Sequence, residues 1–216
     1  MRSPQELLDE ASAVLLDFDG PLTALMPSPL NAQAAERARA ALRNIDLPED
    51  IAATTDHLAV LRFAVNHHPD RALTVESACT DAEVQCARLS EPSPEASFLV
   101  EQAESREIPL AIVSNNSTSA VRVFLDRFGW TSKFAALSCR ESNALDRLKP
   151  DPYLVKQALR LLAITPHRAV FVGDSLSDVD AGHAAKVAVI GLAKSPTRAT
   201  QLEESGADAV IHRQED

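Results

Sequence analysis

The chain has 216 residues, of which 45% are hydrophobic and 24% are charged, a composition typical of a globular protein and not of a disordered one. This length suits one large domain, or a domain that carries an inserted one. The formal net charge is −10 and no block of lysine and arginine occurs, which disfavours nucleic acids and anionic membranes as partners.

The cysteines and the amino terminus favour a cytoplasmic protein. Cys79, Cys86 and Cys139 have no metal-binding spacing, and three sparse cysteines are typical of reduced thiols in the cytosol. Cys79 and Cys86 lie on one predicted helix, where we expect both to face a core. The amino terminus lacks the apolar segment of a signal peptide, and no apolar run reaches the ~18 residues of a membrane span.

An apolar run near the amino terminus leads directly into two like charges. Val14-Leu15-Leu16 predicts a buried strand, and Asp17-Phe18-Asp19-Gly20 follows at once. Residues two apart in an extended chain point to the same side, so Asp17 and Asp19 would crowd one place. Such crowding raises the electrostatic energy unless a cation, a shared proton or an ammonium group relieves it. The alternative is a simple aspartate-rich turn that closes the strand.

The tripeptide Pro-Ser-Pro occurs twice, at residues 27–29 and 92–94. It interrupts helices and strands because proline lacks a backbone donor and restricts the residue before it. The sequence between the two tripeptides favours helix, with candidates over residues 31–44, 49–66 and 70–89. We therefore expect a helical insert over residues 24–91.

Outside this insert, short apolar runs alternate with amphipathic helices. A predicted helix places Val121, Phe124, Leu125 and Phe128 on one face. Further strands are expected at 110–113, 134–137, 169–172, 187–190 and 209–211. This alternation predicts an α/β fold with a Rossmann-like parallel sheet, covered on both faces, in which the first strand is central. The predicted core comprises residues 1–23 and 92–216.

Ligands of open α/β sheets bind beyond the carboxyl ends of the strands, so the residues that follow each strand are candidate site residues. They are Asp17-Phe18-Asp19-Gly20, Ser114-Asn115-Asn116 and Gly173-Asp174-Ser175-Leu176-Ser177-Asp178. With Lys149 in Leu148-Lys149-Pro150, they resemble the four motifs of the haloacid dehalogenase superfamily of phosphotransferases. Those motifs are D-x-D-G, a strand ending in Ser or Thr, a lysine that opens a helix, and G-D-S-x-x-D. The resemblance covers essentially the whole chain, and the helical insert is similar to the cap of the larger subgroup.

The resemblance implies a phosphatase that acts through an aspartyl-phosphate intermediate. Asp17 would be the nucleophile, and Asp19 would act as general acid and then as general base. Lys149 would neutralise the charge of the nucleophile and of the phosphoryl group. Ser114 and the backbone donor of Asn115, together with Lys149, would bind the phosphate oxygens.

The resemblance also implies a Mg²⁺ ion. It would be held by the carboxylates of Asp17 and Asp174 and by the backbone carbonyl of Asp19, and Asp178 would support this ligand shell directly or through water. In the family a threonine commonly follows D-x-D-G. Here Pro21 stands in that position, which removes a hydroxyl group and a backbone donor beside the nucleophile.

The implied substrate is a small phosphorylated metabolite, such as a phosphoglycolate-like acid or a sugar phosphate, and the protein would be a monomer or a homodimer. A phosphomutase of the β-phosphoglucomutase type and a non-catalytic binding relative are alternatives. A dehalogenase is less favoured, because dehalogenases of the family lack the second aspartate that Asp19 provides.

Other patterns compete with this interpretation. Gly173-Asp174-Ser175-Leu176 matches the signature of G-D-S-L esterases, with Ser175 as nucleophile. His183 would lie ~12 Å from Ser175 along a helix, too far for a catalytic triad. Ser114 could instead cap the following helix. His57 and Arg62 of the insert are expected on a solvated helix face; the alternative is that they reach the substrate from the cap. His67-His68 is expected at an exposed helix end.

Overall fold

A computed structural model describes residues 2–212, which form six strands and ten α-helices. The strands are β1 (Ala13–Leu16), β2 (Leu110–Ser117), β3 (Phe134–Arg140), β4 (Ala169–Gly173), β5 (Ala188–Ala193) and β6 (Ala209–His212). They form one sheet in the order β3-β2-β1-β4-β5-β6, and every neighbouring pair is parallel. The chain order reverses between β1 and β4, so β1 is central as predicted.

The helices lie on both faces of the sheet and in the insert. They are α1 (Pro4–Glu10), α2 (Leu30–Ala40), α3 (Glu49–Ala53), α4 (His57–His67), α5 (Pro69–Ala87), α6 (Pro94–Ser105), α7 (Thr118–Arg127), α8 (Tyr153–Leu162), α9 (Leu176–Ala184) and α10 (Pro196–Glu204). Helices α1, α6 and α7 pack on one face of the sheet, and α8, α9 and α10 on the other. Among the described residues, no helix is long and apolar enough to cross a bilayer.

The sequence of β1 follows from its position between these two layers. Val14 and Leu16 belong to the hydrophobic cluster under α6 and α7, whereas Ala13 and Leu15 belong to the cluster under α8 and α9. All four side chains are buried, because alternate residues of a strand point to opposite faces and both faces are covered. A continuous apolar run is therefore the expected pattern for this strand.

Several predicted elements have different bounds in the structure, and two of these differences have a clear cause. The helix expected over 49–66 is two helices, because the chain is extended at Thr54 and the Asp56 carboxylate then accepts a hydrogen bond from Leu58 N to begin α4. The strand expected over 110–113 continues through Ser117, since its last residues still pair with β3 across a register shift.

Helices α2 to α5 form the insert and have a hydrophobic cluster of their own. Its members include Leu42, Leu61, Val75 and Cys79, together with Leu148 from the loop after β3. The carboxyl-terminal half of α5 contributes instead to the cluster on the sheet face, through Ala82, Cys86 and Ala87. The insert thus has its own core and also a continuous helical connection to the sheet. Its assignment as a separate domain over 24–91 stays a prediction.

The return of the chain from the insert is fixed by hydrogen bonds to the segment after β1. Ser93 of the second Pro-Ser-Pro donates from Oγ to the carbonyl of Pro21 at 2.7 Å, and its backbone N–H donates to Leu22 O at 2.8 Å. Thr23 donates from Oγ1 to Glu91 O at 2.7 Å. Pro21 therefore contributes an acceptor to this junction, although it lacks the hydroxyl group of the usual threonine.

All three cysteines are free and buried. This confirms that Cys79 and Cys86 face the interior. Burial raises the pKa of Cys79 and of Cys139 to about 12, which disfavours the thiolate form. Neither thiol is suited to act as a nucleophile.

The side chain of Phe18, in the first motif, packs in the hydrophobic core, and its removal should destabilise the fold. Its ring is fully buried and meets Phe124 edge-on, with ring centroids 5.2 Å apart. We expect Phe18→Ala to lower the free energy of unfolding by about 3–5 kcal/mol, the usual cost of emptying a buried aromatic site. Phe98→Ala is the matched control, because Phe98 is 64% exposed, and it should cost under about 1 kcal/mol. Equal losses for the two variants in urea unfolding would contradict this packing.

Candidate active site

The predicted site residues meet at the carboxyl ends of the central strands. Asp17 directly follows β1, Ser114 and Asn115 lie at the end of β2, and Asp174 follows β4. Together with Asp19 and Lys149 they line a cavity of about 380 Å³. This is the position at which the strand order reverses, where α/β sheets bind ligands.

The ammonium group of Lys149 lies between two carboxylates. Its Nζ is 2.9 Å from Asp17 Oδ1 and 2.6 Å from Asp178 Oδ1, and it also donates to Val113 O at 3.0 Å. Burial alone would lower the pKa of Lys149, but the charges of Asp17 and Asp178 raise it above its ordinary value. The lysine is therefore a fixed positive charge beside Asp17.

The side chain of Asn115 holds the backbone of Lys149. Asn115 Oδ1 accepts from Lys149 N at 2.7 Å, and Asn115 Nδ2 donates to Lys149 O at 3.1 Å. This second role of Asn115 was not predicted, and no local pattern indicates it, because the partners are 34 residues apart. The expectation that Lys149 opens a helix is wrong, since α8 begins only at Tyr153. The amide of Asn115 supplies the positioning that a helix end was expected to give.

The two aspartates of the first motif have different surroundings. Burial raises the pKa of Asp17 to about 7; Lys149 opposes this rise, whereas Asp178 and Asp174 add to it. Asp19 Oδ1 accepts from Leu25 N at 2.9 Å. Burial raises the pKa of Asp19, and this hydrogen bond acts against the rise. A raised pKa favours the protonated carboxyl group, the form that a general acid needs. For Asp17 the charge of Lys149 acts in the opposite direction and favours the carboxylate that a nucleophile needs.

Three carboxylates converge at this edge of the sheet. Asp17, Asp174 and Asp178 each offer an oxygen atom, and these atoms lie within 4.8 Å of one another. Gly20 makes the approach possible, because its φ is +117° and a Cβ atom there would lie 2.2 Å from Asp174 Oδ2. Lys194 Nζ also lies 2.7 Å from that oxygen. Convergent carboxylate oxygens are the donors that Mg²⁺ prefers.

Asp178 is fully buried behind this group. Its Oδ1 accepts from Lys149, and its Oδ2 accepts from Ser175 Oγ at 2.7 Å and from Ser175 N at 3.0 Å. The same two residues form the capping box of α9. Asp178 thus joins the fourth motif to Lys149, and both of its oxygens already have partners within the protein.

The competing interpretation of the G-D-S-L signature is not supported by the contacts. Ser175 is the N-cap of α9 and is bonded to Asp178. His183 instead lies on the surface, where its Nε2 is 3.1 Å from Asp208 Oδ2. A triad needs the histidine within hydrogen-bond reach of the nucleophile.

Ser114 is not a helix cap, because Ser117 caps α7 by accepting from Ala120 N. Ser114 Oγ instead donates to Asn116 Oδ1 at 3.1 Å and accepts from Asn116 N at 3.2 Å. The Ser114 side chain is buried and lines the cavity beside Asp17. It is therefore positioned to meet a ligand in the cavity.

The structure corrects the expectation for His57. This residue, predicted on a solvated helix face, is only 6% exposed and lines the same cavity as Asp17 and Asp19. Its Nε2 lies 2.9 Å from Oε1 of Glu83, a fully buried residue that Arg140 also contacts. The sequence contained a signal for Glu83, which stands four residues after Cys79 and three before Cys86 on the apolar face of α5. A charge at such a position indicates a buried partner.

Comparisons with known proteins agree with this geometry. Residues 11–186 match the model of the haloacid dehalogenase-like hydrolase family. A phosphoglycolate phosphatase of Xylella fastidiosa is 27% identical over 80% of this chain and 76% of its own length. The N-acetylmuramic acid 6-phosphate phosphatase of Pseudomonas aeruginosa is 25% identical over 79% of this chain and 76% of its own.

Solved structures give the same fold. The crystal structure of CbbY from Rhodobacter sphaeroides in complex with phosphate superposes with a TM-score of 0.72 at 23% identity, and the match covers 93% of each chain. At this identity the likeness shows the fold alone, and it confirms the predicted α/β class. Because the family model matches residues 11–186, which are most of the chain, the chain belongs to the haloacid dehalogenase-like hydrolases.

Proposed function

We propose that this hydrolase is a Mg²⁺-dependent phosphatase that cleaves a small phosphorylated metabolite through an aspartyl-phosphate on Asp17. The observation that carries the proposal is the buried ammonium group of Lys149, 2.9 Å from Asp17 Oδ1 in a cavity that Asp174 also lines. The coarser prediction, a hydrolase acting on phosphate monoesters, is confirmed by the family and by the phosphatases among the relatives.

The first half of the reaction transfers the phosphoryl group to the protein. A carboxylate oxygen of Asp17 bonds to phosphorus while the bond from phosphorus to the leaving oxygen breaks. Asp19 donates its proton to that oxygen, so the metabolite leaves as a neutral alcohol. Lys149 stabilises the charge on the transferring group.

The second half returns the protein to its starting state. Asp19, now a carboxylate, takes a proton from a water molecule as that water attacks the phosphorus atom. The bond to the Asp17 oxygen breaks, and inorganic phosphate is released. Ser114 Oγ and the backbone N–H of Asn115 donate to the phosphoryl oxygens in both halves, because both residues line the cavity beside Asp17.

A Mg²⁺ ion fits the donor set. The carboxylates of Asp17 and Asp174 would hold it with the backbone carbonyl of Asp19. Asp178 would support this arrangement from behind, because its oxygens are engaged by Lys149 and Ser175. When bound, the ion supplies charge neutralisation for the phosphoryl oxygens.

The insert would act as a cap over residues 24–91. Thr55, Leu58 and Arg62 line the cavity from this side, facing the aspartates of the core. Such a wall suits a small substrate, a phosphoglycolate-like acid or a sugar phosphate, and would exclude water during transfer. A cytoplasmic location and a monomeric or homodimeric state stay predictions.

Metal dependence tests the proposed chemistry. Dialysed protein should release phosphate from phenyl phosphate only when Mg²⁺ is added, because Asp17 and Asp174 then acquire the cation that offsets their charge. Excess EDTA should abolish the release, and further Mg²⁺ should restore it. Full activity in excess EDTA would overturn the metal assignment.

The role of Asp19 predicts a dependence on the leaving group. Asp19→Asn should slow hydrolysis of ethyl phosphate roughly 10²–10⁴-fold, the usual contribution of general acid–base catalysis. The loss should be smaller for p-nitrophenyl phosphate, whose phenolate leaves without protonation. Steady-state kcat for both esters is the measurement. An equal loss on the two substrates would exclude Asp19 as the acid.

A further inference from the structure

We propose that His57 is the residue through which the insert recognises the leaving group of the substrate, and that the buried pair of Glu83 and Arg140 positions it. The inference rests on the proposed phosphatase function. It concerns the wall that the insert contributes to the cavity, where the phosphorylated metabolite would place its carbon skeleton. The sequence offered a His57 that reaches the substrate only as an alternative and favoured a solvated helix face.

His57 is placed to meet the substrate. It is the first residue of α4, it is nearly buried, and it lines the same cavity as Asp17, Ser114 and Lys149. Its Nε2 atom contacts Glu83, whereas Nδ1 has no hydrogen-bond partner among residues 2–212. The imidazole of His57 lines a ligand-sized cavity and has one nitrogen without a partner in the described part of the protein, and that nitrogen can form a hydrogen bond with a substrate atom.

Glu83 fixes the orientation of the imidazole ring. Its Oε1 accepts from Arg140 Nη1 at 2.7 Å, and its Oε2 accepts from Arg140 Nη2 at 3.0 Å and from Ser117 N at 2.8 Å. Burial raises the pKa of Glu83, but Arg140 and His57 outweigh burial and hold it below its ordinary value. An ionised carboxylate only accepts hydrogen bonds, so Nε2 of His57 carries a proton.

This fixes what the other nitrogen can bind. In the neutral ring, Nδ1 accepts a hydrogen bond from a hydroxyl group; in the charged ring, it donates to a carboxylate. Both partners are oxygen atoms of the leaving group, at the end remote from phosphorus. The recognised feature is therefore a polar oxygen on the carbon skeleton.

The same ion pair connects the two walls of the cavity. Arg140 Nη1 also donates to Asn115 O at 2.6 Å, in the segment proposed to bind the phosphoryl group. A buried Glu–Arg pair loses much of its attraction to desolvation, and apolar residues of similar size can replace such pairs without loss of stability. Because the ion pair contacts both His57 and Asn115, we infer that it fixes the distance between the two ends of the substrate site.

Three phosphate esters with the same two-carbon skeleton test this inference: ethyl phosphate, 2-hydroxyethyl phosphate and 2-phosphoglycolate. They differ only in the group remote from phosphorus. The wild-type protein with Mg²⁺ should prefer at least one polar ester to ethyl phosphate by about 10-fold or more in kcat/KM. The preferred ester distinguishes a hydroxyl from a carboxylate.

The His57 variants carry the decisive comparison. His57→Leu should lower kcat/KM for the preferred ester about 10–100-fold, mainly through KM, and should change ethyl phosphate by less than about 3-fold. Glu83 keeps Arg140 and Ser117 as partners in this variant, so the fold should persist. His57→Gln, which retains a donor and an acceptor, should recover part of the preference.

Glu83→Gln tests the positioning role. It should reduce the same preference by a larger factor than it slows ethyl phosphate, because an amide accepts only through its oxygen and cannot accept at both positions, where His57, Arg140 and Ser117 donate. If this variant does not fold, the His57 variants still decide the question.

Several results would overturn the inference. They are a wild-type protein without preference among the esters, a preference that survives in His57→Leu, and an equal loss on all three esters. Phosphate release from ethyl phosphate by the wild type would still uphold the proposed phosphatase. No release from any ester would contradict the phosphatase function itself, and the inference with it.

Discussion

One buried ammonium group, that of Lys149, organises the candidate active site. Asp17, Asp174 and Asp178 place three carboxylates within 4.8 Å of each other, and their repulsion in a buried place would be severe without a cation. Lys149 contacts two of them directly and is itself held by the amide of Asn115. Lys149 therefore links the residue after β1, the backbone of β2 and the first turn of α9.

A second buried ion pair supports His57, a residue that the insert contributes to the cavity wall. Glu83 and Arg140 join α5 of the insert to the ends of β2 and β3. Lys149 contacts Asp17, the carboxylate proposed to react, whereas Glu83 contacts a histidine of the insert that lines the cavity. Chemistry and recognition are thus assigned to separate charge clusters, which meet in the segment of Ser114 and Asn115.

The sheet could be predicted from the sequence because its signals are local. The apolar run of β1 indicates that the strand is buried on both faces. The polar residues after each strand indicate the edge of the sheet at which the site forms. The errors concern contacts between distant segments. The residues around Lys149 in the sequence do not indicate its contact with Asn115, and those around His57 do not indicate its contact with Glu83. Each pair forms only after the helices and strands have packed.

The central claim is that Asp17 carries the phosphoryl group during turnover. Acid-quenched protein, mixed with Mg²⁺ and a rapidly transferring aryl phosphate, can be analysed by intact and peptide mass spectrometry. One phosphoryl group should appear on the peptide that contains Asp17. It should be absent from Asp17→Asn and present in Asp9→Asn, a control on the surface of α1. A phosphoryl group on another residue, or one that persists in Asp17→Asn, would contradict the mechanism.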